Sequence, residues 1–179
     1  MHMTRIRALA VVSILAIAAL VLVVITVTRD SQGDEKLSEK CKPGHIPVSL
    51  DLPESEEEIH INVYNATHTS GLGASVGADF RNRKFQVGKV EGEVANGQPA
   101  YYPDEVAILR YGPKAIAAAH LLRAYFLNEN SSQFDLQRED DVVDVVIGGR
   151  FKQLATPTEM RQAVAILGRP KLPPGTCEG

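Results

Sequence analysis

"HINVYNATHTSGLGASVGADFRNRKFQV", residues 60–87, decides how this chain folds. It continues an alternation that begins at Ile59: Ile59, Ile61 and Val63 share one face, His60, Asn62 and Tyr64 the other. That period of two is the pattern of a half-buried strand. The period then changes. From about Ser70 and Gly71 to Lys84, the apolar residues Leu72, Val76 and Phe80 recur every fourth position, as on the buried stripe of a helix. "FQVGKV" returns to strand. Between strand and helix lies a glycine-containing turn, where α/β proteins often hold a phosphate or a sugar. Its glycines, Gly71, Gly73 and Gly77, are spaced G-x-G-x-x-x-G, one residue too long for a dinucleotide fingerprint, in which each glycine has a separate steric task. Asn65 and Thr67 fit turn chemistry, with side chains bonding nearby backbone. The alternative gives them, with His68, a ligand.

Downstream, the loop "GEVANGQPAYYPD" leads to a third strand, "EVAILRY". Gly112-Pro113 opens a second helix, "PKAIAAAHLLRAYFLN", with Pro113 suited to the first turn and Ile116, Ala119, Leu122 and Phe126 facing the sheet. "DVVDVVIGG" is the last strand, and its doubled valines predict cover on much of both faces. "TPTEMRQAVAIL" is a third helix, with Thr156 as N-cap, Pro157 in the first position and Glu159 completing a capping box. The order β-α-β-β-α-β plus a C-terminal helix predicts an α/β (α+β) two-layer sandwich of the split βαβ type over residues 59–179. It ends in the proline-rich tail "RPKLPPGTC".

Upstream, residues 8–27 carry no charge, and only Ser13 and Thr26 interrupt their apolar run. A helix of that length covers about 30 Å, the hydrocarbon thickness of a bilayer. The expectation is therefore one N-terminal transmembrane helix over 8–28, a retained anchor rather than a cleaved signal, whose apolar region is shorter. Arg5 and Arg7 precede it, which keeps residues 1–7 cytoplasmic and exports the rest. Residues 29–58 read as an acidic extracytoplasmic linker with a solvated Glu56-Glu57-Glu58 run. Cys41 and Cys177, both on the exported side, predict a disulfide. The chain's net charge is −3, and residues 1–29 hold three arginines and no acid, so the remainder carries −6. Nucleic acid and anionic head groups repel such a domain as a whole.

No catalytic constellation emerges. The five histidines show no metal spacing, and there is no nucleophile elbow or P-loop, so neither cofactor nor metal is expected. Glu139, Asp140, Asp141 and Asp144 could be set apart as in a glycosidase. At the entry to a strand they read more simply as a turn with exposed acids. Asp144, among valines, has Arg110, Arg150 or solvent as its candidate partners. Arg110 and Tyr111 at the end of the third strand join Asn65, Thr67 and His68 as the candidate ligand-binding set. Tyr101-Tyr102 stack on a sugar or pin their loop.

Taken in order, these blocks resemble the LytR C-terminal domain family. Ile61-x-Val63-x-Asn65-x-Thr67, Gly71-Leu72-Gly73, Lys84-Phe85-Gln86-Val87, the strand ending Ile108–Tyr111 and Ile147-Gly148 follow that family's motifs, with Ile for the first Val, Gly for Ala and Lys for Gly. The resemblance covers about residues 59–151 and is similar to that of stand-alone, membrane-anchored actinobacterial members. In that family the domain often follows a phosphotransferase domain that joins wall polymers to peptidoglycan, and none of that domain's signature occurs in this sequence. The resemblance implies a non-catalytic role at the plasma membrane in maintaining the cell envelope. Its partners would be an envelope glycan or polyprenyl lipid, or a cell-wall enzyme for which the domain is a scaffold.

Overall fold

A computed structural model describes residues 41–179. The expected anchor over 8–28 and the cytoplasmic N-terminus lie outside the described residues. Among the described residues, no helix is long and apolar enough to cross a membrane. The elements run β1 (Ile46–Val48), a 3₁₀ turn (Glu56–Glu58), β2 (His60–Asn65), α1 (Leu72–Asn82), β3 (Gln86–Gly92), β4 (Val94–Ala95) and β5 (Gln98–Pro99). They continue with β6 (Ala107–Tyr111), a 3₁₀ turn (Pro113–Ala115), α2 (Ile116–Tyr125), β7 (Asn130–Phe134), β8 (Val142–Ile147), α3 (Pro157–Leu167) and β9 (Thr176–Glu178).

Five strands form one sheet in the order β3-β2-β8-β6-β7. β2 runs parallel to β3 and to β8, β6 runs parallel to β7, and β6 meets β8 antiparallel. This corrects the split βαβ expectation. Each crossover, β2-α1-β3 and β6-α2-β7, joins immediate neighbours, and the last long strand enters between the two units. The units point in opposite directions and shift in opposite directions along the sheet. A right-handed crossover therefore puts both helices on the same face. The packing agrees: Phe80 of α1 lies 6.0 Å from Tyr125 and 6.3 Å from Phe126, ring centre to ring centre.

The core lies under those helices. Ile59, Ile61 and Val63, with Val143, Val145, Ile147 and Leu109, are fully buried there, as the alternation in the sequence requires. α3 packs its Ala163 inward, and its capping box is present: the Thr156 hydroxyl accepts from the Glu159 amide, and the Glu159 carboxylate accepts from the Thr156 backbone. The opposite face is covered only in part. Ile108, Val146 and Ala66 form a small second cluster under Tyr102 and Tyr64.

Residues 46–58, expected as linker, belong to the folded unit. β1 pairs in parallel with β9 beside the Cys41–Cys177 disulfide, whose Cα atoms are 5.6 Å apart. The acidic run is not merely solvated. Tyr125 donates its hydroxyl to Glu56 at 2.7 Å, and Lys84 meets Glu57 at 2.9 Å.

Candidate functional site

The turn after β2 is held by its own side chains. Asn65 Oδ1 accepts from the Thr67 amide (3.1 Å) and from the Thr67 hydroxyl (2.7 Å). Asn65 Nδ2 donates to the Thr69 carbonyl at 2.9 Å, and the Thr69 amide donates to Thr67 Oγ1 at 3.1 Å. Gly71 follows in the left-handed region (φ 77°), and a Cβ at Gly77 would lie 2.9 Å from Val90. The glycines thus serve the bend and the close seating of α1 on β3. His68 is exposed and stacks on Tyr101 with ring centres 4.1 Å apart.

The remaining two candidates sit on opposite sides of the sheet, because neighbouring residues of a strand face opposite ways. Tyr111 is on the helix side, 5.7 Å from Phe134 between ring centres, and burial pushes its phenol pKa up. Arg110 is on the open face. Asn65, Thr67 and His68 therefore form one group, while Arg110 and Tyr111 each belong to another.

On the open face the sheet carries a chain of charge-assisted hydrogen bonds, the strong kind. Arg110 Nη1 donates to Glu93 at 2.7 Å, Nε to Gln133 at 3.0 Å and Nη2 to Tyr102 at 3.4 Å. Burial lowers the Arg110 pKa and the Glu93 carboxylate more than offsets it, leaving the guanidinium above its ordinary value. Asp144 takes neither Arg110 nor Arg150. It accepts from Arg138 and from Asn62, both at 2.8 Å. Arg138 also holds Asp140 at 2.8 Å, and His60 lies 3.1 Å from Asp141. Three of the four clustered acids are thus engaged. Asn62 does double duty: its Oδ1 accepts from the Lys89 amide at 2.9 Å, where the β2–β3 register shifts. Among the described residues, no group of His, Cys, Asp or Glu is placed to hold a metal.

A ligand-sized concavity lies elsewhere. A cleft of about 580 Å³ opens between β1 and the loop from β7 to β8. Ile46, Val48, Pro113 and Leu136 give it apolar walls, and Lys114, Gln137, Arg138 and Glu139 bring polar and charged groups to it. This size falls within the range of small-molecule sites, roughly 300–1,000 Å³. Sequence reasoning missed it because its walls come from the supposed linker and from an irregular loop. It also missed Glu93 and Arg138, isolated charges without motif or period. The only signal for Arg138 was a buried-strand aspartate in want of a cation.

Comparison with known proteins completes the picture. The family model described as LytR cell envelope-related transcriptional attenuator matches residues 58–151. No curated protein matches the chain. Among solved structures, the soluble domain of a conserved hypothetical secreted protein from Mycobacterium marinum matches with a TM-score of 0.52 at 22% identity, covering 74% of this chain and 91% of that one. That likeness is one of fold. The family match runs from the strand that opens the sheet to the residues that follow its last strand, and the chain belongs to the LytR cell envelope-related transcriptional attenuator family.

Proposed function

We propose that this chain is a non-catalytic, membrane-anchored protein whose folded domain lies outside the plasma membrane and supports the cell envelope by binding an envelope glycan or lipid-linked precursor. Family membership, the apolar N-terminal segment behind Arg5 and Arg7, and the disulfide support the setting. One observation carries the binding: the cleft beside β1. It combines apolar walls, which suit a prenyl chain or a sugar face, with Lys114 and Glu139, which can bond to a ligand's polar end. Asn65 and Thr67 are committed to their turn, so the cleft is the better seat for the ligand. The second reading is a scaffold that docks a cell-wall enzyme, for which exposed residues such as Val94, Tyr101, Leu127 and Ile166 are the available contacts.

The test is native mass spectrometry of the full chain, released from source-cell membranes in mild detergent. The expected result is a retained adduct with the mass of a prenyl phosphate or a glycan, diminished in an Ile46→Ser variant. Bare protein in both samples overturns the reading, and a retained partner chain in place of a small ligand transfers it to the scaffold.

A further inference from the structure

A second, smaller cavity of about 210 Å³ lies on the helix side of the sheet, where the C-terminal tail crosses α2. Ile116, Ala119 and Leu167 give it an apolar part, and its polar lining, His120 apart, is cationic and hydroxylic. Arg123 comes from α2, Arg169 and Lys171 from the tail, and Tyr111 and Ser132 from the adjacent strands β6 and β7. No carboxylate lines it. Arg169 also meets Glu178 at 3.5 Å with both side chains largely exposed, an arrangement worth little.

The tail is fixed in place there. His120 is 8% exposed, and its Nε2 lies 3.0 Å from the carbonyl of Gly168. A carbonyl only accepts, so that nitrogen carries the proton and donates. This bond pins the residue that precedes Arg169 against α2, and Pro170, itself buried, holds the next. Both tail cations are therefore brought to the same cavity as Arg123. In a folded unit whose residues 41–179 carry a net charge of −4, Arg123, Arg169 and Lys171 are gathered around one cavity that no carboxylate lines, an arrangement that favours an anion between them.

We infer that this cavity binds a phosphate or diphosphate group, with Arg123, Arg169 and Lys171 as its cations and the Tyr111 and Ser132 hydroxyls as its neutral partners. The volume suits a head group and leaves the rest of the molecule outside. The negative domain works against general attraction to an anionic bilayer, so the site selects a phosphate placed in the cavity. This rests on the reading of the domain as a binder of envelope ligands and names the part of the ligand recognised.

The experiment uses the full chain in phosphatidylcholine nanodiscs, with inorganic pyrophosphate as the probe followed by calorimetry. Saturable binding is expected, weakened about tenfold by Arg123→Gln and again by Lys171→Gln. Lys89→Gln, which removes the same charge from β3, leaves the affinity unchanged. Absence of saturation, or an equal loss with Lys89→Gln, overturns the site. Unaltered thermal unfolding of the variants shows that they fold. With the site present, competition by phosphatidylglycerol in the same nanodisc identifies a lipid head group as the source, and undiminished pyrophosphate binding identifies a phosphate from outside the bilayer. If pyrophosphate fails to bind while the envelope adduct persists in mass spectrometry, this site falls and the binder reading stands.

Discussion

Arg110 and Asp144 are paired residues across β6 and β8, yet each gives its charge to someone else. Arg110 reaches Glu93 at 2.7 Å, and Asp144 is taken by Arg138 at 2.8 Å. The open face of the sheet is therefore joined at two points to irregular chain: to the segment after β3 through Glu93, and to the loop before β8 through Arg138.

Double-mutant cycles report that division of partners. Arg138 and Asp144, 16% and 19% exposed, are expected to couple by about 1–2 kcal/mol. Arg110 and Asp144, despite their register, are expected to couple by less than about 0.5 kcal/mol. Urea unfolding of the single and double alanine variants measures both.

Glu93 is only 7% exposed and faces one cation. Glu93→Ala leaves Arg110 half-covered without its carboxylate, and the expected loss is about 2–3 kcal/mol. Glu93→Gln, which keeps an accepting oxygen, is expected to lose less. Thermal unfolding of the two variants gives the order.

Tyr125 gives the fold a pH dependence at the alkaline end. Burial, and then the hydrogen bond to Glu56, raise its phenol above the ordinary value of 10.0. Above that value the unfolded chain releases a proton that the folded chain keeps, so stability is whole below about pH 10 and falls as pH rises beyond it. Burial raises Tyr64 and Tyr111 in the same sense. Tyr125→Phe is expected to flatten the decline without abolishing it and to cost about 1 kcal/mol at neutral pH. Urea midpoints at a series of pH values between neutrality and strong alkali make the comparison.

Gly92 ends β3 and Gly148 directly follows β8, but only one is obligatory. A Cβ at Gly148 would run into the carbonyl of Glu105, whereas one at Gly92 meets nothing within 4 Å. Gly148→Ala is expected to cost about 2–3 kcal/mol through backbone displacement, and Gly92→Ala less than about 0.5 kcal/mol. Calorimetric unfolding separates them.

Reduction of the disulfide tests how the small sheet is held. β1 and β9 pair only with each other and are three residues long, so the Cys41–Cys177 bond supplies much of their order. Hydrogen exchange is expected to quicken in β1 and β9 on reduction, with β2 and β8 still protected. Binding in the cleft, one wall of which is β1, is expected to weaken with it.

These elements also show what the sequence made legible. β2 buries residues on a clear alternation, β6 and β8 are apolar runs covered on much of both faces, and the helices carry apolar stripes or terminal signals, so their existence could be read from local pattern. β7, "NSSQF", was invisible: it is an edge strand with four polar residues and draws its order from the ladder with β6. β1 and β9 are too short for any period and owe their pairing to a covalent bond between distant residues. The turn at Asn65 and Thr67 could be anticipated because its partners are local. The Asp144–Arg138 and Arg110–Glu93 pairs could not, since their partners stand on segments that have no regular structure to predict.

The ring closed between Cys41 and Cys177, a separation of 136 positions, changes what a single protease cut can achieve. The tip of the β4–β5 hairpin, Asn96-Gly97, is exposed and lies inside the ring. Cleavage there yields two chains that remain one molecule, and only a reducing gel separates them. Separation of the two pieces takes a second event, reduction of the bond.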